Sequence, residues 1–70
     1  MTGNELIRQV KAIGRARGIG VRLKASRGKG SHKTLYFGTA FTVVGNPKDE
    51  LKTGTFHAMC AQLGIRANQL

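Results

Sequence analysis

A chain of 70 residues has room for one small domain, and its 12 lysines and arginines against three acids give a net charge of +9. The single Cys60 excludes an internal disulfide, and His32, His57 and Cys60 lack the paired-ligand spacing of a structural zinc site. No apolar run is long enough to span a membrane or form a signal core, so we expect a cytoplasmic protein that has no membrane partner.

The positive charge is unevenly distributed along the chain. Nine of the 12 basic residues lie between Arg8 and Lys33, and no acid occurs between Glu5 and Asp49. Like charges in a small domain repel one another unless a polyanion neutralises them. The charge therefore predicts a nucleic-acid partner, and an anionic membrane is the weaker alternative because the basic stretch lacks a strongly amphipathic helix carrying Trp or Phe.

The first predicted element is a helix from about residue 4. Thr2 and Glu5 have the spacing of a capping box. Apolar residues then follow at helical spacing, namely Leu6, Ile7, Val10 and Ile13. The helix ends either at Gly14 or at Gly18, with Arg15 and Arg17 near its negative end.

Three strands are predicted next, from segments with the alternation or composition of strands. VRLKAS and HKTLYF alternate apolar and polar residues, and RGKGS between them reads as a turn. AFTVV is a third β-rich run after a break near Gly38-Thr39, and Gly45-Asn46-Pro47 ends the sheet.

A second helix over about residues 54–63 is predicted from apolar spacing and from its ending. Its apolar positions are Phe56, Met59, Cys60 and Leu63. Thr53 or Thr55 is the expected cap, and Gly64-Ile65 suits a Schellman ending. The whole order predicts a single α+β domain over residues 1–70, an α-β-β-β-α two-layer sandwich with both helices on one face of an antiparallel sheet.

The register of the first two strands follows from a five-residue RGKGS loop, because a slip of one residue would exchange the two faces. The loop predicts a core face of Val21, Leu23, Leu35 and Phe37. It predicts an outward face of Arg22, Lys24, Ser26, His32, Thr34 and Tyr36. Placing Phe41 opposite Phe37 and Val43 opposite Leu35 adds Thr42 to the outward face.

This outward face is a candidate RNA-binding surface. Its bases and hydroxyls suit phosphate and ribose, and Tyr36 could stack on an unpaired base. Further basic residues surround its edge at the turn, namely Arg27, Lys29 and Lys33. The alternative is an ordinary polar sheet face, but such a face mixes charge signs and this one contains no acid.

Several catalytic motifs fail on this sequence. A P-loop needs a glycine at position 23, which is Leu, and a dinucleotide fingerprint needs one at position 33, which is Lys. Ser31 and His32 are adjacent on a strand and would point to opposite faces, which argues against Ser-His-acid catalysis. Three acids also leave few carboxylates to hold Mg²⁺ or Mn²⁺, so no metal or other cofactor is expected.

Metal-free RNA cleavage remains, because RNA carries its own nucleophile in the 2′-hydroxyl. Histidine ordinarily titrates near neutrality and suits the proton transfer, so His32 is the candidate general acid or base. Lys29, Lys33 and the amides of Gly30 and Ser31 could stabilise charge on the phosphate. The alternative is a non-catalytic surface histidine. His57 beside Phe56 is predicted to flank the core, and a non-catalytic role is favoured for it, while Tyr36, Lys33 and His57 remain the candidates for a second proton-transfer group. Met59 and Cys60 are predicted core residues.

The sequence as a whole resembles the HicA (YcfA-like) toxins of type II toxin–antitoxin systems. The resemblance rests on the order of a helix, Gly-Ser-His at a strand start, TLYFG, a third strand and ELKTGTFHAMCAQLGI, from about Glu5 to Ile65. It implies a double-stranded-RNA-binding-domain-like fold, mRNA interferase activity, growth arrest, and neutralisation by a HicB-type antitoxin that covers the active site. It also implies that His32 is catalytic, beside Gly30 and Ser31. The chain departs from the family in GRARGIGVRL, which is longer and more basic than the usual Gly-aromatic pair.

Two hypotheses from different classes follow. The first is an endoribonuclease toxin that acts on mRNA through His32 and is held by an antitoxin acidic at the contact surface. The second is a non-catalytic RNA-binding module in which Arg22 and Lys24 matter and His32 does not.

Overall fold

Within the described residues, two α-helices and a three-stranded antiparallel sheet are the main elements, which confirms the predicted α+β architecture and the α-β-β-β-α order. The computed structural model describes residues 1–25 and 32–70. The elements are α1 (Gly3–Arg17), β1 (Val21–Ala25), β2 (Lys33–Phe37), β3 (Ala40–Val44) and α2 (Thr53–Leu63), followed by an unpredicted short 3₁₀ helix, Ala67–Gln69. Within the described residues, no helix has both the length and the apolar character required to cross a membrane.

Helix α1 begins at the predicted capping box and runs through Gly14 to Gly18. The Glu5 amide donates to Thr2 Oγ1 at 3.2 Å, and the Thr2 amide donates to Glu5 Oε1 at 3.0 Å. The bond from the Thr2 amide, supported by the Thr2 hydroxyl, lowers the pKa of Glu5. Gly18 has a φ of 69°, the left-handed conformation that commonly ends a helix at glycine.

Gly14 lies in the interior of α1 because the helix needs a residue without a side chain there. A Cβ at Gly14 would lie 2.3 Å from Val21 Cγ2 and 2.8 Å from the Ile19 carbonyl oxygen. The Ile19 amide also donates to the Gly14 carbonyl at 2.8 Å. The glycine therefore lets α1 lie directly against the chain that enters β1.

Both helices pack on the same face of the sheet and enclose one apolar core. The buried residues of this core are Leu6, Ile7, Val10, Leu35, Phe37, Val44, Met59, Leu63 and Ile65. Cys60 is 3% exposed, and burial raises the pKa of its thiol. The predictions that Met59 and Cys60 are core residues are confirmed.

The predicted pairing of β1 with β2 is confirmed. Arg22 pairs with Tyr36 and Lys24 pairs with Thr34, so Leu23 and Leu35 share the inner face. The predicted pair of Ser26 with His32 cannot be compared, since Ser26 lies outside the described residues.

The predicted register of β3 is wrong by one residue. Phe37 pairs with Ala40, which leaves Gly38-Thr39 as a two-residue turn, and Gly38 has the positive φ that such hairpin turns require. Leu35 consequently pairs with Thr42, which is 2% exposed and faces the core instead of the solvent. Its hydroxyl donates to Gln62 Oε1 on α2, which satisfies a polar group that would otherwise be costly to bury.

The start of α2 also differs from the prediction. Lys52, with extended backbone angles, occupies the N-cap, and its carbonyl accepts from the Phe56 amide at 2.8 Å. Neither Thr53 nor Thr55 caps the helix with its side chain. The Schellman ending is confirmed, because the Ile65 amide donates to the Cys60 carbonyl and Gly64 is left-handed.

Candidate functional site

In the described strands, the face of the sheet turned away from the helices carries six side chains, two from each strand. We call it the outer face; its residues are Arg22, Lys24, Thr34, Tyr36, Phe41 and Val43. The strand register arranges them in two rows across the sheet, Arg22–Tyr36–Phe41 and Lys24–Thr34–Val43. Each row runs from a cation on β1 to an apolar side chain on β3.

The first row is connected by side-chain contacts. The Arg22 guanidinium carbon lies 5.2 Å from the centre of the Tyr36 ring, a distance at which the ring quadrupole attracts a cation. The Tyr36 and Phe41 ring centres are 6.0 Å apart with their planes tilted by 43°. Phe41 remains 55% exposed, so one flank of this aromatic pair is open to solvent.

The apolar end of the outer face was not predicted from the sequence. Phe41 and Val43 were placed in the core by the incorrect β3 register, whereas they are 55% and 54% exposed. The signal that could have found them is the Gly38-Thr39 turn, since a two-residue hairpin fixes Phe37 opposite Ala40.

His32 is exposed and immediately precedes β2. Because side chains alternate along a strand, His32 has the parity of Thr34 and Tyr36, which are both on the outer face. Lys33 has the opposite parity and is half-buried at the start of β2, paired with Ala25 and Val44. The sequence-predicted site residues Arg27, Lys29, Gly30 and Ser31 lie outside the described residues, as does Ser26.

The second histidine lies in the other layer of the fold. His57 is exposed on α2, and its ring makes an edge-to-face contact with Phe56 at 5.5 Å between ring centres. Because α2 covers the inner face of the sheet through Met59 and Leu63, His57 is separated from the outer face by the core. The predicted position of His57, beside the buried stripe of α2, agrees with this placement.

All three acids of the chain lie in one corner of the molecule, away from the outer face. Glu5 is in the first turn of α1, and Glu50 forms an isolated bridge with Thr2 and an ion pair of 2.8 Å with the Met1 amino group. The carbonyl of Asp49 accepts from the Gly3 amide in the same corner. Arg22 and Lys24 therefore have no acid beside them on the outer face.

A second group of cations, not predicted as a site from the sequence, follows the solvent side of α1. Arg8, Lys11 and Arg15 are exposed at spacings of three and four residues, which places them on one side of the helix. The core lies between this stripe and the outer face. The i, i+3, i+7 spacing of these cations in the sequence is the signal that indicates the stripe.

A groove between β3 and α2 adjoins the apolar end of the outer face. Its volume is about 590 Å³, and Phe41, Thr42, Ala58, Met59 and Gln62 are among its lining residues. Among the residues that the structure describes, no charged side chain lines it. Within residues 1–25 and 32–70, no group of three or more metal-ligating side chains comes together.

Comparison of the chain with models of known families, with curated proteins and with solved structures gives no match. The resemblance to HicA toxins therefore stays a prediction. Any functional conclusion has to come from the outer face, His32 and the distribution of charge.

Proposed function

We propose that the protein is a metal-independent endoribonuclease of the HicA kind, a toxin that cleaves mRNA in the cytoplasm with His32 as a general acid or base. The observation that carries this proposal is the position of His32. It is exposed immediately before β2, with the strand parity of the outer face that bears Arg22 and Lys24, in a chain whose three acids all lie elsewhere.

The chemistry requires little more than this arrangement. In the proposed reaction the 2′-oxygen of the substrate forms a bond to the adjacent phosphorus while the bond from phosphorus to the 5′-oxygen breaks. One proton leaves the 2′-hydroxyl and one is delivered to the departing 5′-oxygen; His32 performs one of these transfers and solvent water performs the other. Arg22 and Lys24 hold neighbouring phosphates, so that the backbone of the substrate lies along β1.

The charge distribution also supports a protein partner for the same surface. A HicB-like antitoxin that neutralises the toxin has to cover His32 and the outer face. Since that face holds cations and no acid, the complementary surface of the antitoxin would be acidic.

The test compares wild type with His32→Ala, and His57→Ala is the matched control because it removes the other exposed histidine, in the opposite layer. We expect His32→Ala to slow RNA cleavage by about 10²- to 10⁴-fold and to relieve growth arrest, while His57→Ala retains both. Purified proteins are assayed on a fluorescent RNA, with and without EDTA. A 2′-O-methyl copy of the same RNA should not be cut. Equal cleavage by wild type and His32→Ala would show that His32 is not the catalytic residue. Activity that EDTA abolishes and a divalent ion restores would point to metal chemistry.

The second candidate function is an RNA-binding module without catalysis. The observation that favours it is the row of cation and aromatic rings formed by Arg22, Tyr36 and Phe41, which binds without any need for His32. It predicts that His32→Ala leaves RNA binding and phenotype unchanged, whereas Arg22→Gln with Lys24→Gln abolishes both. Lys11→Gln with Arg15→Gln on α1 is the charge-matched control for that pair.

A further inference from the structure

Within the described residues, no helix or further strand covers the aromatic pair on the outer face. Tyr36 contacts Arg22 on one side and Phe41 on the other, but no helix covers the pair, because both helices lie on the opposite face. Phe41 leaves more than half of its surface in water. An exposed phenylalanine beside a tyrosine and an arginine is an arrangement that suits a flat, aromatic ligand.

The surrounding charge favours nucleic acid over a protein or a second copy of the chain. Arg22 and Lys24 flank the aromatic pair along β1, and every acid of the chain is in the corner formed by residues 1–5 and 49–50. A second copy with a net charge of +9 would bring like charges together. A nucleic acid offers phosphates to the β1 side and bases to the β2–β3 side in a single ligand.

The aromatic rings further favour single strands over duplexes. Bases in a duplex are stacked on one another, and side chains on a flat sheet reach mainly its phosphates. Bases of a single strand can separate and stack on exposed rings, which is how sheets with surface aromatics bind RNA.

We propose that Tyr36 and Phe41 form a stacking platform for two bases of single-stranded RNA, with the phosphates held by Arg22 and Lys24. The RNA backbone follows β1 and the bases point across the sheet towards β3. This inference rests on the proposed function, and it specifies where on the outer face the substrate is held.

The platform lies beside His32 and not at it. His32 and Tyr36 are four positions apart in sequence, which at the rise of a strand is about 13 Å. The stacked bases are therefore neighbours of the nucleotide that is cleaved. Tyr36 and Phe41 act as binding residues that hold the RNA strand in position, and His32 performs the proton transfer.

The composition of the protein provides a direct probe of this contact. Tyr36 is the only tyrosine and there is no tryptophan, so the intrinsic fluorescence of the protein reports on the platform alone. The ligand is a 12-nucleotide 2′-O-methyl oligouridylate, which cannot be cleaved through its 2′-oxygen. We expect it to quench Tyr36, and we expect a 2′-O-methyl duplex of equal length to quench much less.

The variants separate stacking from apolar contact. Phe41→Leu keeps an apolar side chain and removes the ring, and we expect it to weaken binding of the oligouridylate by about 5- to 150-fold. Phe41→Tyr keeps an aromatic ring at this position, and we expect it to bind the oligouridylate within about 3-fold of wild type. Val43→Ala, on the same strand and face but in the other row, is the matched control and should also bind nearly as wild type. Since positions 41 and 43 are exposed, all three variants should fold, which circular dichroism can verify.

Kinetic measurements distinguish the stacking platform from the catalytic role of His32. On a cleavable RNA, Phe41→Leu should raise KM and leave kcat within about 3-fold, whereas His32→Ala lowers kcat. Phe41→Leu binding as tightly as wild type, or a duplex that quenches Tyr36 equally, would overturn the platform even if His32 proves catalytic. A change of sedimentation mass in Phe41→Leu without a change in oligonucleotide affinity would also overturn it, and would make the face a contact between copies.

Discussion

At the scale of single residues, two glycines in helices have opposite roles. Gly14 is buried, and a methyl group there would meet the side chain of Val21 and the carbonyl of Ile19. Gly54 is exposed near the start of α2, and a Cβ there would meet nothing within 4 Å. Helix propensity alone would favour alanine at both positions, so the difference between them measures the close packing of α1 on β1.

We expect Gly14→Ala to lower the free energy of unfolding by about 1–2 kcal/mol, because the overpacking exceeds the gain in helix propensity. Gly54→Ala, the matched control, should leave the stability unchanged or raise it by up to about 1 kcal/mol. Urea unfolding followed by circular dichroism measures both. Equal stabilisation by the two alanines would contradict the close approach at Gly14.

At the scale of elements, local signals predicted most of the fold and failed for the register of β3, where apolar residues occupy both faces of the strand. The signals that succeeded each involve residues that are close in sequence or joined by one loop. They are the Thr2–Glu5 capping box, the alternation of apolar and polar residues in β1 and β2, and the helix ending at Gly64. AFTVV carries no such alternation, since apolar residues occupy both parities and Thr42 is the single polar one. Its burial depends on Gln62, 20 residues further on, and no local pattern contains that contact.

The same limit explains which part of the candidate site was predicted. Four side chains of β1 and β2 are predicted correctly to lie on the outer face, because a shift of either strand would have put charge in the core. They are Arg22, Lys24, Thr34 and Tyr36. The positions of Phe41 and Val43 were not predicted correctly, because either register of β3 buries at least one large apolar side chain. The outer face therefore gained its apolar side only from the structure.

The register of β3 can be tested with its two adjacent valines. Val44 is fully buried and Val43 is 54% exposed. We expect Val44→Thr to destabilise the protein by about 1–3 kcal/mol, since it buries a hydroxyl without a partner. Val43→Thr makes the same chemical change in water and should fall within about 0.5 kcal/mol of wild type. Thermal unfolding distinguishes the two variants, because each kcal/mol of lost stability lowers Tm by about 4–8 °C in a domain of this size. The reverse order of the two variants would support the other register.

At the scale of the whole molecule, charge is the dominant feature of the surface. The net charge is +9, and the Met1–Glu50 contact is the one ion pair within residues 1–25 and 32–70. Cations occupy both the outer face and the solvent side of α1, with the core between them. Repulsion among them opposes the compact state and falls when salt screens it.

We therefore expect Tm to rise as the ionic strength increases, when the protein is heated at a series of sodium chloride concentrations below about 0.3 M. Lys11→Gln with Arg15→Gln removes a like-charged pair one helical turn apart and lowers the net charge from +9 by two, to +7. This variant should have a higher Tm at low salt and a weaker dependence on salt. A Tm that falls with added salt would instead mean that attractive ion pairs dominate the surface.

The two-residue turn at Gly38-Thr39 has a consequence for length variation in this chain. One residue inserted there would allow β3 to pair with the opposite parity, which would bring Thr42 and Val44 to the surface and turn Phe41 and Val43 towards the helices. A single insertion would thus replace Phe41 and Val43 on the outer face by Thr42 and Val44 without any substitution. The integrity of that surface depends as much on the number of residues in one tight turn as on the identity of the residues that form it.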